Sequence, residues 1–215
     1  MDLQSCGPPL ASGSTCSEAV EPVRKPGVIV LAGGESRRMG MEKGLVPFQG
    51  KPMVAHVLAA AAAWDEHILI VANDPAYRQF GYPVVPDEQQ GQGPVAGIIT
   101  GLKHSHHEQN LVVSCDIPNI HPDVLALLAA KAEGNKVVIL QAQGRIHPLI
   151  GIYSKACLPH FEACLGSGER KLRNVIAAMS PLVLDLDQEM PGYDPAWLEN
   201  FNTMEAVMAA SVHKT

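Results

Sequence analysis

The segment Leu31-Ala32-Gly33-Gly34-Glu35-Ser36-Arg37-Arg38-Met39-Gly40-Met41-Glu42-Lys43 puts paired glycines, two arginines and a lysine directly behind the apolar run Val28-Ile29-Val30. A polyphosphate is held by backbone amides that no side chain shields and by mobile cations, and this segment offers both. Its spacing matches neither common phosphate motif. A P-loop needs GxxxxGK[ST], but Gly34 and Gly40 stand too far apart and Met41 follows where lysine is required. The dinucleotide fingerprint GxGxxG is also absent. Nine residues lie between Gly33 and Lys43. A loop of that length can wrap a nucleoside triphosphate with its amides while Arg37 and Lys43 offset the charge. The other reading is a solvated basic loop; its place straight after an apolar run favours the nucleotide.

Two carboxylates and an amide follow at comparable places. Asn73 stands just beyond Ile68-Leu69-Ile70-Val71, Asp87 just beyond Pro83-Val84-Val85-Pro86, and Asp116 just beyond Leu111-Val112-Val113-Ser114-Cys115. Asp116 is a candidate Mg²⁺ ligand, since that ion takes one or two carboxylates and completes its shell with water and phosphate oxygens. Asp116 and Asp87 are equally of a type that forms turns, and the residue types leave both roles open. His104-Ser105-His106-His107 reads as the solvated end of a helix, where the dipole favours a cation. His147, within a strand pattern, reads as a strand-edge histidine; a role facing a second substrate is the sharper alternative.

The elements that must position these residues are legible as short β-branched runs alternating with helical stripes. Val28-Ile29-Val30-Leu31 suits a buried central strand. Pro52 fits the first turn of a helix with Met53, Val54, Val57, Leu58 and Ala61 on one face. A short helix is expected around Tyr77. Pro94 opens a helix with Val95, Ile98, Ile99 and Leu102 inward, and Pro122 another. Two strands joined by a turn at Gln143-Gly144 follow, then helices over about 156–165 and 169–179, a strand over 182–186, and a final helix that Thr203 can cap. Strand–helix alternation in the first half implies right-handed crossovers, and the hairpin in the second half makes the sheet mixed. The expected fold class is α/β: a three-layer α/β/α Rossmann-like sandwich on a mostly parallel, mixed central sheet. Ligands in such a sheet bind beyond the carboxyl ends of the strands, where the loop, Asn73, Asp87 and Asp116 converge.

The chain has 215 residues, is 47% hydrophobic and carries a formal charge of −6. That fits one domain over residues 27–215 behind a flexible Ser/Gly/Pro-rich leader, residues 1–26. The leader lacks the basic start and continuous apolar stretch of a secretory signal. Mild acidity argues against a nucleic-acid binder, and no apolar run is long enough to span a membrane. Cys6, Cys16, Cys115, Cys157 and Cys164 form no CxxC pair. They read as reduced thiols of a cytoplasmic protein rather than a zinc site or disulfide scaffold.

The segment LAGGESRRMGMEKGL, residues 31–45, resembles the signature of the molybdenum cofactor guanylyltransferases, whose core LAGG-x-x-x-R-M-G-x-x-K is shared by wider nucleotidyltransferases. GKP at 50–52, GPVAG at 93–97, CDIP at 115–118, HPLIGIY at 147–153 and NFNT at 200–203 follow in the same order. The resemblance implies a nucleotide-diphospho-sugar transferase type of fold and the joining of GMP from GTP, with Mg²⁺, to the terminal phosphate of molybdopterin. By position it places Leu31, Ala32, Gly33 and Gly34 at the nucleotide, Lys43 and Arg37 at the phosphates and Asp87 in the nucleotide pocket. It also places Mg²⁺ on Asp116, and Asn200 and Asn202, with His147, on the pterin side. Molybdenum-insertion proteins and apo-molybdoenzymes are the partners it implies. The chain departs from that pattern at Val71, where an asparagine is expected; Asn73 is the candidate substitute. The competing readings are a transferase of the same fold using CTP or acting on a sugar phosphate, and a non-catalytic GTP-binding module that delivers cofactor.

Overall fold

The structure, a computed structural model, describes residues 25–33 and 42–212. Almost all of the expected leader, together with Gly34 and Arg37, lies outside the described residues. The chain opens with β1 (Gly27–Leu31), buried at every position. A 3₁₀ turn, Lys43–Leu45, leads into a small antiparallel hairpin, β2 (Pro47–Phe48) and β3 (Lys51–Pro52). Next come α1 (Met53–Trp64), β4 (Ile68–Val71), a 3₁₀ helix Pro75–Phe80 and β5 (Val84–Val85). They are followed by α2 (Pro94–His104), β6 (Gln109–Ser114) and α3 (Pro122–Ala130). The second half holds β7 (Val137–Ala142), β8 (Arg145–Ser154), α4 (Leu158–Gly166), α5 (Leu172–Ala177) and β9 (Leu182–Asp185). It ends with α6 (Leu186–Glu189), a 3₁₀ turn Pro195–Leu198 and α7 (Met204–Val212).

The main sheet runs in the order β5-β4-β1-β6-β8-β7-β9. All its strands point one way except β8, which is antiparallel to both β6 and β7. The expected mixed, mostly parallel sheet is therefore present, and a single strand accounts for the mixing. Alternate residues of β1 enter opposite cores: Val28 and Val30 pack with α1 and α3, Ile29 and Leu31 with α2, α4 and α5. Those two cores make the three layers. The helix α2 lies very close to β1, and glycine allows it. A Cβ on Gly101 would sit 2.6 Å from Ile29 Cγ2, and one on Gly97 3.4 Å from Leu31 Cδ2.

Two local expectations need correction. Pro52 pairs with Pro47 in the hairpin and takes extended dihedrals as the residue before α1, so it is not inside the helix. The hairpin turns on Gln49 and Gly50, both at positive φ, a signal that the helical stripe obscured. The helix expected over 169–179 is shorter because Glu169 folds back over its start. The Glu169 carboxylate accepts from the Lys171 backbone N–H (2.8 Å) and from Asn174 Nδ2 (2.7 Å). At the last helix Thr203 does cap: its Oγ1 accepts from the Ala206 N–H at 3.2 Å. No helix among the described residues is long and apolar enough to cross a membrane.

Candidate active site

The carboxyl ends of β1, β4 and β6 are tied together beyond the regular ladder. The Ala32 N–H donates to the Val71 carbonyl (2.9 Å), and the Cys115 N–H to the Leu31 carbonyl (3.0 Å). The Ala32 carbonyl accepts from the hydroxyl of Tyr77, a fully buried side chain, at 3.0 Å. Leu31 and Ala32 are thus buried and their backbone is spent on neighbours, while Gly33 is the first exposed residue of the loop. Val71 is buried and packs in the core around α2, so its side chain offers nothing to a base.

Asn73 and Asp87 form one cluster at the β4–β5 edge. Asn73 Oδ1 accepts from the Asp87 N–H at 2.9 Å. Asp87 Oδ1 accepts from the Gln89 N–H at 3.0 Å and from Thr100 Oγ1 at 3.3 Å. Thr100, a buried hydroxyl inside α2, also accepts from the Glu88 N–H at 3.3 Å. Asn73 is therefore committed through its oxygen to fixing Asp87, while its NH₂ makes no hydrogen bond among the described residues. His104 faces Glu88 at 3.2 Å, as suits a solvated helix end.

Lys43, Asp116 and Asn202 form the second cluster. The 3₁₀ turn that carries Lys43 is seated by buried Gly44, where a Cβ would lie 2.6 Å from Tyr77 Oη and 3.2 Å from Cys115 Sγ. From there the Lys43 ammonium pairs with Asp116 Oδ2 and donates to Asn202 Oδ1 at 2.6 Å. Asp116 is only 6% exposed. Its backbone carbonyl accepts from the Phe201 N–H at 2.9 Å. The Phe201 ring is buried with Val46, Phe48, Met53 and Val207, which pins the 200–202 segment against the end of β6. Beside it the buried Cys115 thiol is pushed well above its ordinary range by burial, so it is a neutral packing group and not a nucleophile.

The donor set at Asp116 fits a hard divalent cation. Its Oδ1 is buried with no hydrogen-bond partner among the described residues, an orphaned lone-pair donor. No group of three or more His, Cys, Asp or Glu among those residues could hold a metal. A single carboxylate supplemented by water and phosphate oxygens is the pattern of Mg²⁺ rather than of zinc. Asp87 is not placed to share such an ion. The strands that carry Asp87 and Asp116 are separated by β4 and β1, about 14 Å at the usual interstrand spacing.

A cavity of about 640 Å³ lies beside the second cluster. Its polar wall includes Gln143, Arg145, His147, Tyr193, Asn200 and Asn202, over an apolar floor with Ile150 and Leu198. A bulge in β8 builds the wall. Ile139 pairs with Gly151, but the next residue, Leu140, pairs with His147, so Pro148, Leu149 and Ile150 have no partner on β7. Proline suits a place where no ladder donor is needed. Fully buried Tyr153 clasps the bulge, its hydroxyl donating to the Pro148 carbonyl at 2.5 Å. Half-buried His147 has its pKa lowered by burial, and further by Arg145 and Arg173, so the ring is neutral near pH 7. The Asp187 carboxylate braces the far wall, accepting from the Gln143 N–H (2.8 Å) and from Tyr193 Oη (3.0 Å). Burial and that carboxylate push the Tyr193 pKa up to about 12.

The structure thus brings Lys43, Asp116 and Asn202 into contact and sets His147, Asn200 and Asn202 around one cavity. It groups Asn73 with Asp87 elsewhere on the same edge. Reading residue types missed Thr100, Tyr153, Arg145 and the Phe201 anchor. A lone hydroxyl on the apolar face of α2 was a usable signal for Thr100. Nothing local marks Phe201, whose role depends on a distant carbonyl.

Comparison with known proteins places the chain in a family. The model of the MobA-like NTP transferase domain matches residues 28–182. A Flavobacterium johnsoniae protein named "Probable molybdenum cofactor guanylyltransferase" is 37% identical over 160 residues, covering 74% of this chain and 84% of its own length. The Molybdenum cofactor guanylyltransferase of Pseudomonas putida is 33% identical over 183 residues, covering 83% and 93%. Among solved structures, the Molybdopterin-guanine dinucleotide biosynthesis protein A of Archaeoglobus fulgidus shares the fold with a TM-score of 0.71. It is 24% identical, and the match covers 86% of this chain and 96% of that one. The domain match and the identity to these relatives agree: the chain belongs to the MobA-like NTP transferase family.

Proposed function

We propose that the protein transfers GMP from GTP to the terminal phosphate of molybdopterin, giving the guanine dinucleotide form of the cofactor and pyrophosphate. The observation that carries this reading is the shared position of Asn202. It touches the Lys43–Asp116 pair on one side and lines the cavity on the other, so a phosphate-handling group and a second-substrate site adjoin. The names of the relatives supply the nucleotide and the acceptor.

In this reading a phosphate oxygen of molybdopterin attacks the α-phosphorus of GTP, a new P–O bond forms, and the bond to pyrophosphate breaks. The attacking oxygen is already ionised, so no general base is needed. The demands are alignment and charge neutralisation. Lys43 moves from Asp116 to the triphosphate, and the backbone amides from Gly33 and Gly34 onward, with Arg37, cradle it. Asp116, whose Oδ1 has no partner among the described residues, would hold the Mg²⁺ ion, which when bound would supply positive charge to the transferring phosphates. Asp87, braced by Asn73 and Thr100, faces the nucleoside end. Arg145, His147 and Asn200 face the pterin. The work is done by one domain, residues 27–215. The free thiols Cys115, Cys157 and Cys164 support a cytoplasmic setting.

Pyrophosphate release tests the proposal. The purified protein with molybdopterin, Mg²⁺ and GTP should release pyrophosphate, CTP should support little release, and Asp116→Asn should reduce turnover by at least about a hundredfold with an unchanged circular dichroism spectrum. A preference for CTP, or full activity of Asp116→Asn, would overturn the base or the role assigned to Asp116.

A further inference from the structure

We infer that Asn202 is a positioning residue that couples the two substrate sites, holding Lys43 on Asp116 until the acceptor cavity is filled. The inference rests on the proposed function for the identity of the two substrates. It goes beyond that reading in assigning Asn202 to the nucleotide's lysine as well as to the acceptor.

Among the described residues the Lys43 ammonium has two acceptors, Asp116 Oδ2 and Asn202 Oδ1, the latter at 2.6 Å. While both hold, the ammonium takes Oδ2 of the carboxylate, leaving a divalent cation only Oδ1, and is withheld from the triphosphate. Something must release it for nucleotide and cation to bind together. Asp116 cannot be the moving part. It is 6% exposed, at the end of a central strand, with its carbonyl bonded to the Phe201 N–H. The backbone on the other side is equally fixed, because the Phe201 ring is buried beside Phe48 with centroids 5.0 Å apart. The Asn202 side chain is exposed, lines the cavity, and is the free element between two anchored ones.

An amide is a planar unit with an acceptor on one side and donors on the other. Asn202 Oδ1 is engaged by Lys43, while its Nδ2 makes no hydrogen bond among the described residues. A phosphate in the cavity is an acceptor only and can take that NH₂. Turning the amide plane to meet it swings Oδ1 off Lys43. The ammonium then keeps one partner instead of two and transfers more readily to the triphosphate, leaving Asp116 to the cation. Acceptor binding thereby tightens nucleotide binding, and by linkage nucleotide binding tightens acceptor binding equally.

The test is calorimetric titration of the full chain with a GTP analogue carrying a methylene between the α- and β-phosphorus, which binds but cannot transfer GMP. Each titration is run with Mg²⁺, with and without saturating molybdopterin. In the wild type, molybdopterin should tighten the analogue about fivefold or more. In Asn202→Ala the two affinities should be equal, and the affinity without molybdopterin should be no weaker than in the wild type. In Asn202→Asp, where a carboxylate holds Lys43 harder, the analogue should bind more weakly than to the wild type. In steady state, KM for GTP should depend on molybdopterin concentration in the wild type but not in Asn202→Ala. A wild-type ratio near one, or an Asn202→Ala ratio equal to that of the wild type, overturns the coupling. Pyrophosphate release by the wild type then shows whether the proposed function survives without it. If the wild type releases none, function and coupling fall together.

Discussion

Replacing Tyr153 by phenylalanine removes one oxygen atom and isolates the role of the β8 bulge. The ring is fully buried and meets Phe161 edge-on at 5.8 Å, so phenylalanine keeps the packing. What is lost is the hydroxyl that donates to the Pro148 carbonyl at 2.5 Å. A net intramolecular hydrogen bond is worth about 0.5–1.5 kcal/mol, and a buried acceptor left unpaired costs more. Pro148 is half-buried rather than fully buried, so the loss is about 1–2 kcal/mol. For a domain of this size that is a fall in Tm of about 2–8 °C. Denaturant unfolding should show a lower midpoint with an unchanged slope. Because the bulge presents His147 and Leu149 to the cavity, KM for molybdopterin should rise several-fold while KM for GTP stays put. A melting temperature within about 1 °C of the wild type would refute the stabilising role. A loss of stability with both KM values unchanged would refute the claim that the bulge shapes the acceptor site.

Three other perturbations probe the rest of the site. Lys43→Ala should weaken GTP binding about tenfold or more by removing a charge-assisted contact to phosphate; unchanged affinity by calorimetry contradicts that role. Gly44→Ala forces a Cβ to 2.6 Å from Tyr77 Oη and should destabilise by about 1–3 kcal/mol, with weaker nucleotide binding as the Lys43 turn shifts. Wild-type stability there would mean that the turn yields freely. For His147 the folded pKa is below the unfolded one, so the unfolded chain binds the proton more readily as pH falls. The contribution of His147 is intact above the ordinary histidine pKa of about 6.5 and declines below it. His147→Gln should therefore flatten the pH dependence of unfolding between about pH 7 and 5; an unchanged slope would count against a desolvated ring.

The first half of the fold was legible because its strands are buried on both faces. Val28-Ile29-Val30-Leu31 and Leu111-Val112-Val113 can hardly be anything else, and the glycines after the first and Ser114 and Asp116 after the second mark the sheet edge. The β2–β3 hairpin was not legible. Its two-residue strands carry no period, and its turn uses Gln49, a side chain that seldom signals positive φ. Contacts that sequence separation hides were also out of reach. Lys43, Asp116 and Asn202 could each be picked out as polar residues at motif positions. That they touch follows only from α7 and the hairpin packing around Phe201. The Thr100–Asp87 contact lies between these extremes, since a hydroxyl on an apolar helix face asks for a partner without naming it.

Lys43 and Asn202 are 159 residues apart in the chain. A ribosome therefore delivers Lys43 long before its Asn202 contact. The parallel β5-β4-β1-β6 half can form its ladders before the NFNT segment exists, but Phe201 must dock before the carbonyl of Asp116 has its partner. The same dependence makes docking of the segment around Phe201 a check on the folding of the strands before it. Proteolysis between residues 190 and 200 would spare every strand of the main sheet and still remove both Asn202 from Lys43 and one wall of the cavity.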